Sequence, residues 1–124
     1  MKFSAQTAET FAACHCKMCQ RWSSGMFMGA HATMFKITQG AEAVSTYKSS
    51  AWAERSFCKV CGSNLYYSMN SMEGVSVGLG LFDSVEGLTC ENEYFVDLRL
   101  QNLAFTNKTN AMTSAEIKAK FGLG

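Results

Sequence analysis

The residues most able to do chemistry in this chain are five of its six cysteines, which lie in two tight clusters. The first cluster reads CHCKMC over residues 14–19. In an extended backbone, residues two apart point the same way, so Cys14 and Cys16 can direct two sulfur atoms at one ion, and a turn can bring Cys19 to the same place. Three thiolates around zinc leave a fourth position open, as in catalytic sites, whereas structural sites are closed by four protein ligands.

The second cluster reads CKVCG over residues 58–62. Two cysteines separated by two residues form a knuckle that grips zinc. A glycine at position 62 allows positive φ at no steric cost, so the chain can leave the knuckle there. Cys58 and Cys61 are therefore predicted metal ligands, but one knuckle supplies two ligands and needs two more.

The cysteines allow three other interpretations. A Cys-x-x-Cys pair is also typical of redox-active dithiols, but the βαβ pattern expected around such a motif is absent. Six cysteines could form disulfides, yet the tight clustering and the polar N-terminus, which lacks a signal-peptide centre, argue against this. Five buried structural cysteines at ligand spacing would be an improbable coincidence. Cys90 stands alone in a predicted turn and is interpreted as a free or half-buried thiol.

The histidines and tryptophans give weaker signals. His15 lies between two predicted ligands, so on a strand its side chain points away from them, and we interpret it as an outer or surface residue rather than a ligand. His31 has no partner nearby in the sequence and is predicted at the surface. Trp22 and Trp52 fit either a pocket lining or the core.

The elements that must position these residues are mainly strands. Strands are predicted over residues 34–38, 43–47, 65–69, 75–82 and 93–98. The segment 75–82 has the clearest period-two alternation, and residues 83–87 form a turn. Thr113 to Glu116 is a capping-box pattern that begins a short C-terminal helix ended by Gly122. The predicted fold class is mainly β, with that one short helix.

Composition narrows the classes of protein further. A chain of 124 residues fits a single domain over 1–124, and 48% hydrophobic residues suffice for a core. No apolar run is long enough for a transmembrane helix. With no signal-peptide centre, a cytoplasmic protein is expected. A net charge of +1 without a basic run disfavours binding to nucleic acid or to an anionic membrane.

Several sequence blocks resemble the glutathione-dependent formaldehyde-activating enzyme (GFA) family. The blocks are CHCKMC at 14–19, RWSSGMF at 21–27, AERSFC at 53–58, CGSNL at 61–65, and the later strand–turn–strand with residues 75–82, Asp83, Gly87 and YFV at 94–96. The similarity extends to about Asp97. It implies a fold of coiled β-sheets around cysteine–zinc sites.

The same resemblance implies a metal-binding lyase. It implies a catalytic zinc on Cys14, Cys16 and Cys19 and a second, structural zinc that uses Cys58 and Cys61. The implied activity is that of a carbon–sulfur lyase such as S-hydroxymethylglutathione synthase, in which glutathione adds to formaldehyde or a related aldehyde. Glutathione and an aldehyde are therefore the expected small-molecule partners, and a homo-oligomer is left open.

The sequence departs from the family pattern at its start. Family members carry an N-terminal Cys-x-Cys-Gly motif that completes the structural zinc, whereas no cysteine precedes Cys14 here. Residues 2–5 resemble the strand that follows that motif, so the chain is expected to begin just after it. Cys58 and Cys61 then offer two thiolates where zinc takes four ligands, and we predict a weak or empty second site.

Two other functions remain open at this point. The first is a non-catalytic zinc module that binds a protein partner or a metabolite, since a fold does not fix a function. It would differ from an enzyme by a fourth protein ligand that closes the first zinc site. The second, a nucleic-acid-binding zinc protein, is disfavoured by the even spread of charge.

Overall fold

The computed structural model describes residues 1–122, and its secondary structure is mainly β. The strands are β1 (Lys2–Thr7), β2 (Thr10–Cys14), β3 (Phe27–Gln39), β4 (Val44–Lys48), β5 (Ala53–Cys58), β6 (Asn64–Met69), β7 (Val75–Gly78), β8 (Thr89–Tyr94) and β9 (Asn110–Met112). The helices are α1 (Lys17–Ser23) and α2 (Ser114–Phe121). The predicted fold class is thus confirmed, although α1 was not predicted. Within residues 1–122, no helix is long and apolar enough to cross a bilayer.

The described chain divides into two compact units. Residues 1–9 and 29–86 form the first unit, and residues 10–28 and 87 onward form the second. Each unit holds one of the cysteine clusters.

The first unit is an antiparallel sheet. Its strands follow the order β4-β5-β6-β7-β3, and β1 pairs with the later part of β3. Small and aliphatic residues fill its core, namely Ala30, Ala32, Ala53, Leu65 and Val77. Aromatic rings stack beside them, with Phe35 5.5 Å from Phe3 and 5.0 Å from Tyr66 between ring centroids. Cys58 is the last residue of β5, which is paired on both edges by β4 and β6.

The second unit combines a parallel ladder with both helices. Strand β8 pairs in parallel with β2 on one side and with β9 on the other. Helix α1 begins shortly after β2 ends at Cys14. Helix α2 starts with the predicted capping box, in which the Thr113 side chain accepts from the Glu116 N–H, and it ends at Gly122. Its residue Ile117 is buried.

Two predicted strands are shorter or shifted in the structure. The strand predicted over 75–82 ends at Gly78, and Leu79–Leu81 form a 3-10 turn. Gly78 and Gly80 give the segment no side chains to pack on the other face of a strand, so the period-two pattern does not hold it extended. The strand predicted over 93–98 runs instead from Thr89 to Tyr94, because Phe95 takes a left-handed conformation with φ +58° and a 3-10 turn follows.

The shift of β8 corrects the interpretation of Cys90. This residue is not in a turn but on the strand, and it is 3% exposed. Burial, followed by the nearby charge of Glu93, raises the pKa of its thiol to about 11. Cys90 is therefore a buried and protonated core thiol at neutral pH.

Candidate metal centre

The sulfur atoms of Cys14, Cys16 and Cys19 all lie within 4.8 Å of one another. Cys14 ends β2, Cys16 immediately precedes α1, and Cys19 lies in the first turn of that helix. The convergence expected from their spacing is therefore present, and all three residues belong to the second unit. Their role as metal ligands stays a prediction.

The arrangement fits a zinc ion. Tetrahedral zinc with Zn–S bonds of about 2.3 Å places its sulfur ligands about 3.8 Å apart, so inward shifts on the order of 1 Å would suffice here. Thiolates are soft ligands that favour zinc over harder divalent ions. Across residues 1–122, no fourth His, Cys, Asp or Glu donor joins this group. The cluster thus offers three protein ligands, which is the pattern of a zinc site with an open position.

The three thiols of the cluster can ionise together only if a cation lies between them. Hydrogen bonding with the Cys16 and Cys19 thiols, followed by burial, raises the pKa of Cys14 far above its usual range. Three thiolates at this separation repel one another, so they ionise together only when a positive charge lies between them. A divalent ion would supply that charge.

Helix α1 brings the Cys19 sulfur close to the sulfur atoms of Cys14 and Cys16. Cys16 is its N-cap, and the Cys16 sulfur accepts a hydrogen bond of 3.4 Å from the backbone N–H of Cys19. The helix ends at Ser24, which adopts φ +61° and donates its N–H to the Gln20 carbonyl. Cysteine is not among the usual N-cap residues, so α1 could not be predicted from its first residues.

His15 lies between two of the candidate ligands and is buried, with 2% of its surface exposed. Its Nε2 atom is 2.9 Å from Oε1 of Glu93, which is itself 3% exposed. That His15 is not a ligand stays a prediction, whereas the alternative of a surface position is wrong, because the ring is buried against Glu93. His31 is exposed, as predicted, and Trp22 packs on Phe27 with ring centroids 5.0 Å apart.

The carboxylate of Glu93 is satisfied on both oxygens. Thr109 donates its hydroxyl to Oε2, and Arg99 Nη1 lies 3.7 Å from Oε1. Burial alone would raise the pKa of Glu93, but the hydrogen bonds from Thr109 and His15 outweigh it and lower that pKa below its ordinary value. Because an ionised carboxylate only accepts hydrogen bonds, His15 Nε2 must carry the proton in this pair.

The backbone of His15 is held as well. Its N–H donates to the Tyr94 carbonyl at 2.9 Å, and its carbonyl accepts from the Gln20 side-chain amide at 2.8 Å. The same amide donates to the Leu98 carbonyl at 2.8 Å. The sequence did not indicate Glu93, Thr109 or Gln20. No motif links residues that lie as far apart in the chain as His15 and Glu93, and Gln20 lies in helix α1, which was not predicted.

The second cysteine pair lies in the first unit and forms the predicted knuckle. Gly62 has φ +80° and donates its N–H to the Cys58 carbonyl at 2.7 Å. Cys58 is buried and Cys61 is exposed. Within residues 1–122, no third His, Cys, Asp or Glu donor joins them in a cluster. A weak or empty second metal site therefore stays a prediction.

We expect Cys61 to be the most reactive thiol of the metal-free chain. Hydrogen bonds from the Ser63 hydroxyl and backbone N–H, followed by one with Cys58, lower the pKa of Cys61 to about 7, and its sulfur lies 3.2 Å from Ser63 Oγ. Alkylation by iodoacetamide, followed residue by residue by mass spectrometry, should rise with a midpoint near that pKa. Ser63→Ala should move the midpoint upward towards that of an ordinary thiol, about 8.5. An unchanged midpoint would contradict this account of Cys61.

Comparison with known proteins places this site in a family. The profile of the family described as "Glutathione-dependent formaldehyde-activating enzyme" matches residues 1–98. A protein of Schizosaccharomyces pombe named an uncharacterized lyase is 34% identical over 105 residues, which cover 84% of this chain and 77% of that protein. A crystal structure of a Rhodobacter sphaeroides protein shares the fold, with a TM-score of 0.55 at 18% identity, over 71% of this chain and 89% of that one. The chain therefore belongs to the glutathione-dependent formaldehyde-activating enzyme family.

Proposed function

We propose that this chain is a zinc-dependent carbon–sulfur lyase acting as a single zinc-binding domain. Its reaction is the reversible addition of a thiol, glutathione, to formaldehyde or a related aldehyde, which gives an S-hydroxymethyl adduct. Family membership and the similarity to a protein named a lyase support a lyase-type activity. The predicted zinc ligands are Cys14, Cys16 and Cys19, with a weaker or empty second site at Cys58 and Cys61.

The observation that carries the proposal is the three-sulfur cluster. A structural zinc site would be closed by a fourth protein ligand, and none of the described His, Cys, Asp or Glu residues joins the group. Cys19 is buried, whereas Cys14 and Cys16 are half-exposed. A substrate thiol would therefore approach the centre from the side on which Cys14 and Cys16 reach the surface.

The residues of the chain hold and present the metal. Bound there, zinc would supply a positive charge that lowers the pKa of a substrate thiol and polarises a carbonyl oxygen. Cys14 and Cys16 are presented by the end of β2 and the start of α1, and Cys19 is fixed by its N–H bond to the Cys16 sulfur. His15, which lies between Cys14 and Cys16, is buried together with its partner Glu93, so this stretch of backbone is held from inside the protein.

The reaction balances without an oxidant or reductant. The glutathione sulfur gives an electron pair to the aldehyde carbon, a C–S bond forms, and the C=O π bond breaks. The thiol proton leaves and one proton ends on the new hydroxyl oxygen. The reverse reaction breaks the same C–S bond, which is the lyase direction.

The test is the exchange rate of the adduct. Protein loaded with zinc is mixed with glutathione and ¹³C-labelled formaldehyde, and adduct formation and breakdown are followed by NMR exchange spectroscopy. We expect rates above those of the uncatalysed mixture. The matched control is Cys90→Ala, which removes a buried thiol outside the cluster and should keep the acceleration. Wild-type protein that binds zinc but gives no acceleration would contradict the lyase and favour a non-catalytic zinc module.

A further inference from the structure

His15 is the one residue between Cys14 and Cys16, and three hydrogen bonds hold it. Its N–H bonds to Tyr94, its carbonyl to Gln20, and its ring to Glu93. The first two use only the backbone of residue 15, so they do not depend on its side chain. The third depends on two particular side chains, and it is the one that ties the segment to the middle of the β2-β8-β9 ladder.

Glu93, the partner of the His15 ring, is also buried and held by a second side chain. Glu93 is 3% exposed, and its second oxygen accepts from the Thr109 hydroxyl, just before β9. A buried carboxylate costs several kcal/mol in an apolar interior unless its oxygens are satisfied. Glu93 lies outside the three-sulfur group, and its contact with His15 is one that a hydrophobic residue could not make.

We propose that Glu93 is a positioning residue for the metal centre, and that it acts through His15 to hold the backbone that presents the Cys14 and Cys16 sulfur atoms to the metal. Thr109 fixes the carboxylate, the carboxylate fixes the imidazole, and the imidazole fixes the backbone between the two cysteines. This inference rests on the zinc centre of the proposed function, but it does not depend on the lyase reaction.

The physical consequence is preorganisation. Without the tether, the segment between the two cysteines would move among several conformations, and zinc would have to order it on binding. Outer partners that orient a metal centre typically change its affinity by about 10- to 100-fold when removed. We expect Glu93→Ala to weaken zinc binding by about that factor.

Glu93→Gln keeps a hydrogen-bond acceptor for His15 but removes the negative charge, so it separates the effects of the two. The glutamine oxygen can still accept from His15 Nε2, and the Thr109 hydroxyl can accept from its amide. Neutral hydrogen bonds are weaker than charge-assisted ones, so we expect a smaller loss of zinc affinity, below about tenfold. The matched control is Thr113→Ala, which removes the cap of α2 in the same unit and should lower thermal stability while leaving zinc affinity unchanged.

The measurement is competition for zinc with a chromophoric chelator, together with the absorption spectrum of the cobalt-loaded protein. A merely structural role would lower the melting temperature of Glu93→Ala but leave both metal readouts at their wild-type values. A folded Glu93→Ala that binds zinc as tightly as wild type would therefore overturn the inference, as would equal losses in Glu93→Ala and Glu93→Gln.

A milder variant decides the matter if Glu93→Ala does not fold. Thr109→Val keeps the shape of the side chain and removes the hydroxyl that holds Oε2, and we expect a several-fold loss of zinc affinity. A folded Thr109→Val with wild-type affinity would then overturn the inference. Absence of zinc binding by the wild type would overturn both this inference and the proposed function, whereas zinc binding without lyase activity would remove only the latter.

Discussion

Replacing Cys16 with serine is expected to abolish tight zinc binding at the first cluster while leaving helix α1 intact. A serine hydroxyl is a far weaker zinc ligand than a thiolate, and the site offers only three thiolates. Outer partners alone change metal affinity by 10- to 100-fold, so the loss of a direct ligand should exceed about 100-fold. The acceleration of adduct exchange should disappear with the metal.

The position of Cys16 makes this variant informative about folding as well. Cys16 is the N-cap of α1 and accepts the Cys19 N–H, and serine is among the best residues for that position. Far-UV circular dichroism of the metal-free variant should therefore match that of metal-free wild type. Metal content by mass spectrometry gives the main readout. A Cys16→Ser protein that retains zinc and full turnover would contradict the assignment of Cys16 as a ligand.

Zinc affinity is expected to fall steeply as the pH falls. In the metal-free cluster, hydrogen bonding with Cys16 and Cys19 and then burial raise the pKa of Cys14, so this thiol is protonated at neutral pH. Zinc binds thiolates, so protons and zinc compete for the same sulfur atoms. The affinity is highest above the thiol pKa values and is lost as the pH decreases.

The slope of the zinc affinity against pH depends on how many protons are released when zinc binds. For each released proton, lowering the pH by one unit weakens the apparent zinc affinity by about tenfold. Release of three protons therefore weakens it by about 1000-fold per pH unit. Chelator competition at pH 6.5, 7 and 7.5 measures the slope, and calorimetry in two buffers of different ionisation enthalpy counts the protons directly. Cys16→Ser should release fewer. An affinity independent of pH would mean that the cluster is already ionised before the metal arrives.

The local part of the site could be predicted from the sequence, and the distant part could not. The spacing of Cys14, Cys16 and Cys19 determines where their sulfur atoms can point, because six residues of backbone leave few alternatives. The partner of His15 is different. Period-two geometry predicts that its ring points away from the ligands, but it names no partner for the ring. Glu93 reaches it through the β2–β8 ladder, whose register no short segment encodes.

The fold shows the same division. The capping box at Thr113 is a contact between neighbours in the chain, and it was predicted with its correct partner. Strand ends were harder to predict, since Phe95 ends β8 by adopting a left-handed conformation that is uncommon for an aromatic residue. The alternation of apolar residues along this segment gives no sign of that conformation.

All three candidate ligands of the first cluster lie within one six-residue stretch near the start of the chain. They leave the ribosome together, before Glu93 is synthesised, so we expect that a chain which binds zinc at this cluster would bind it while still growing or unfolded. Any affinity of the unfolded chain subtracts from the stabilisation that the ion gives to the folded one. Zinc is therefore expected to raise the melting temperature less than its affinity for the folded protein implies, and the ion can remain on the chain when the sheet around it melts.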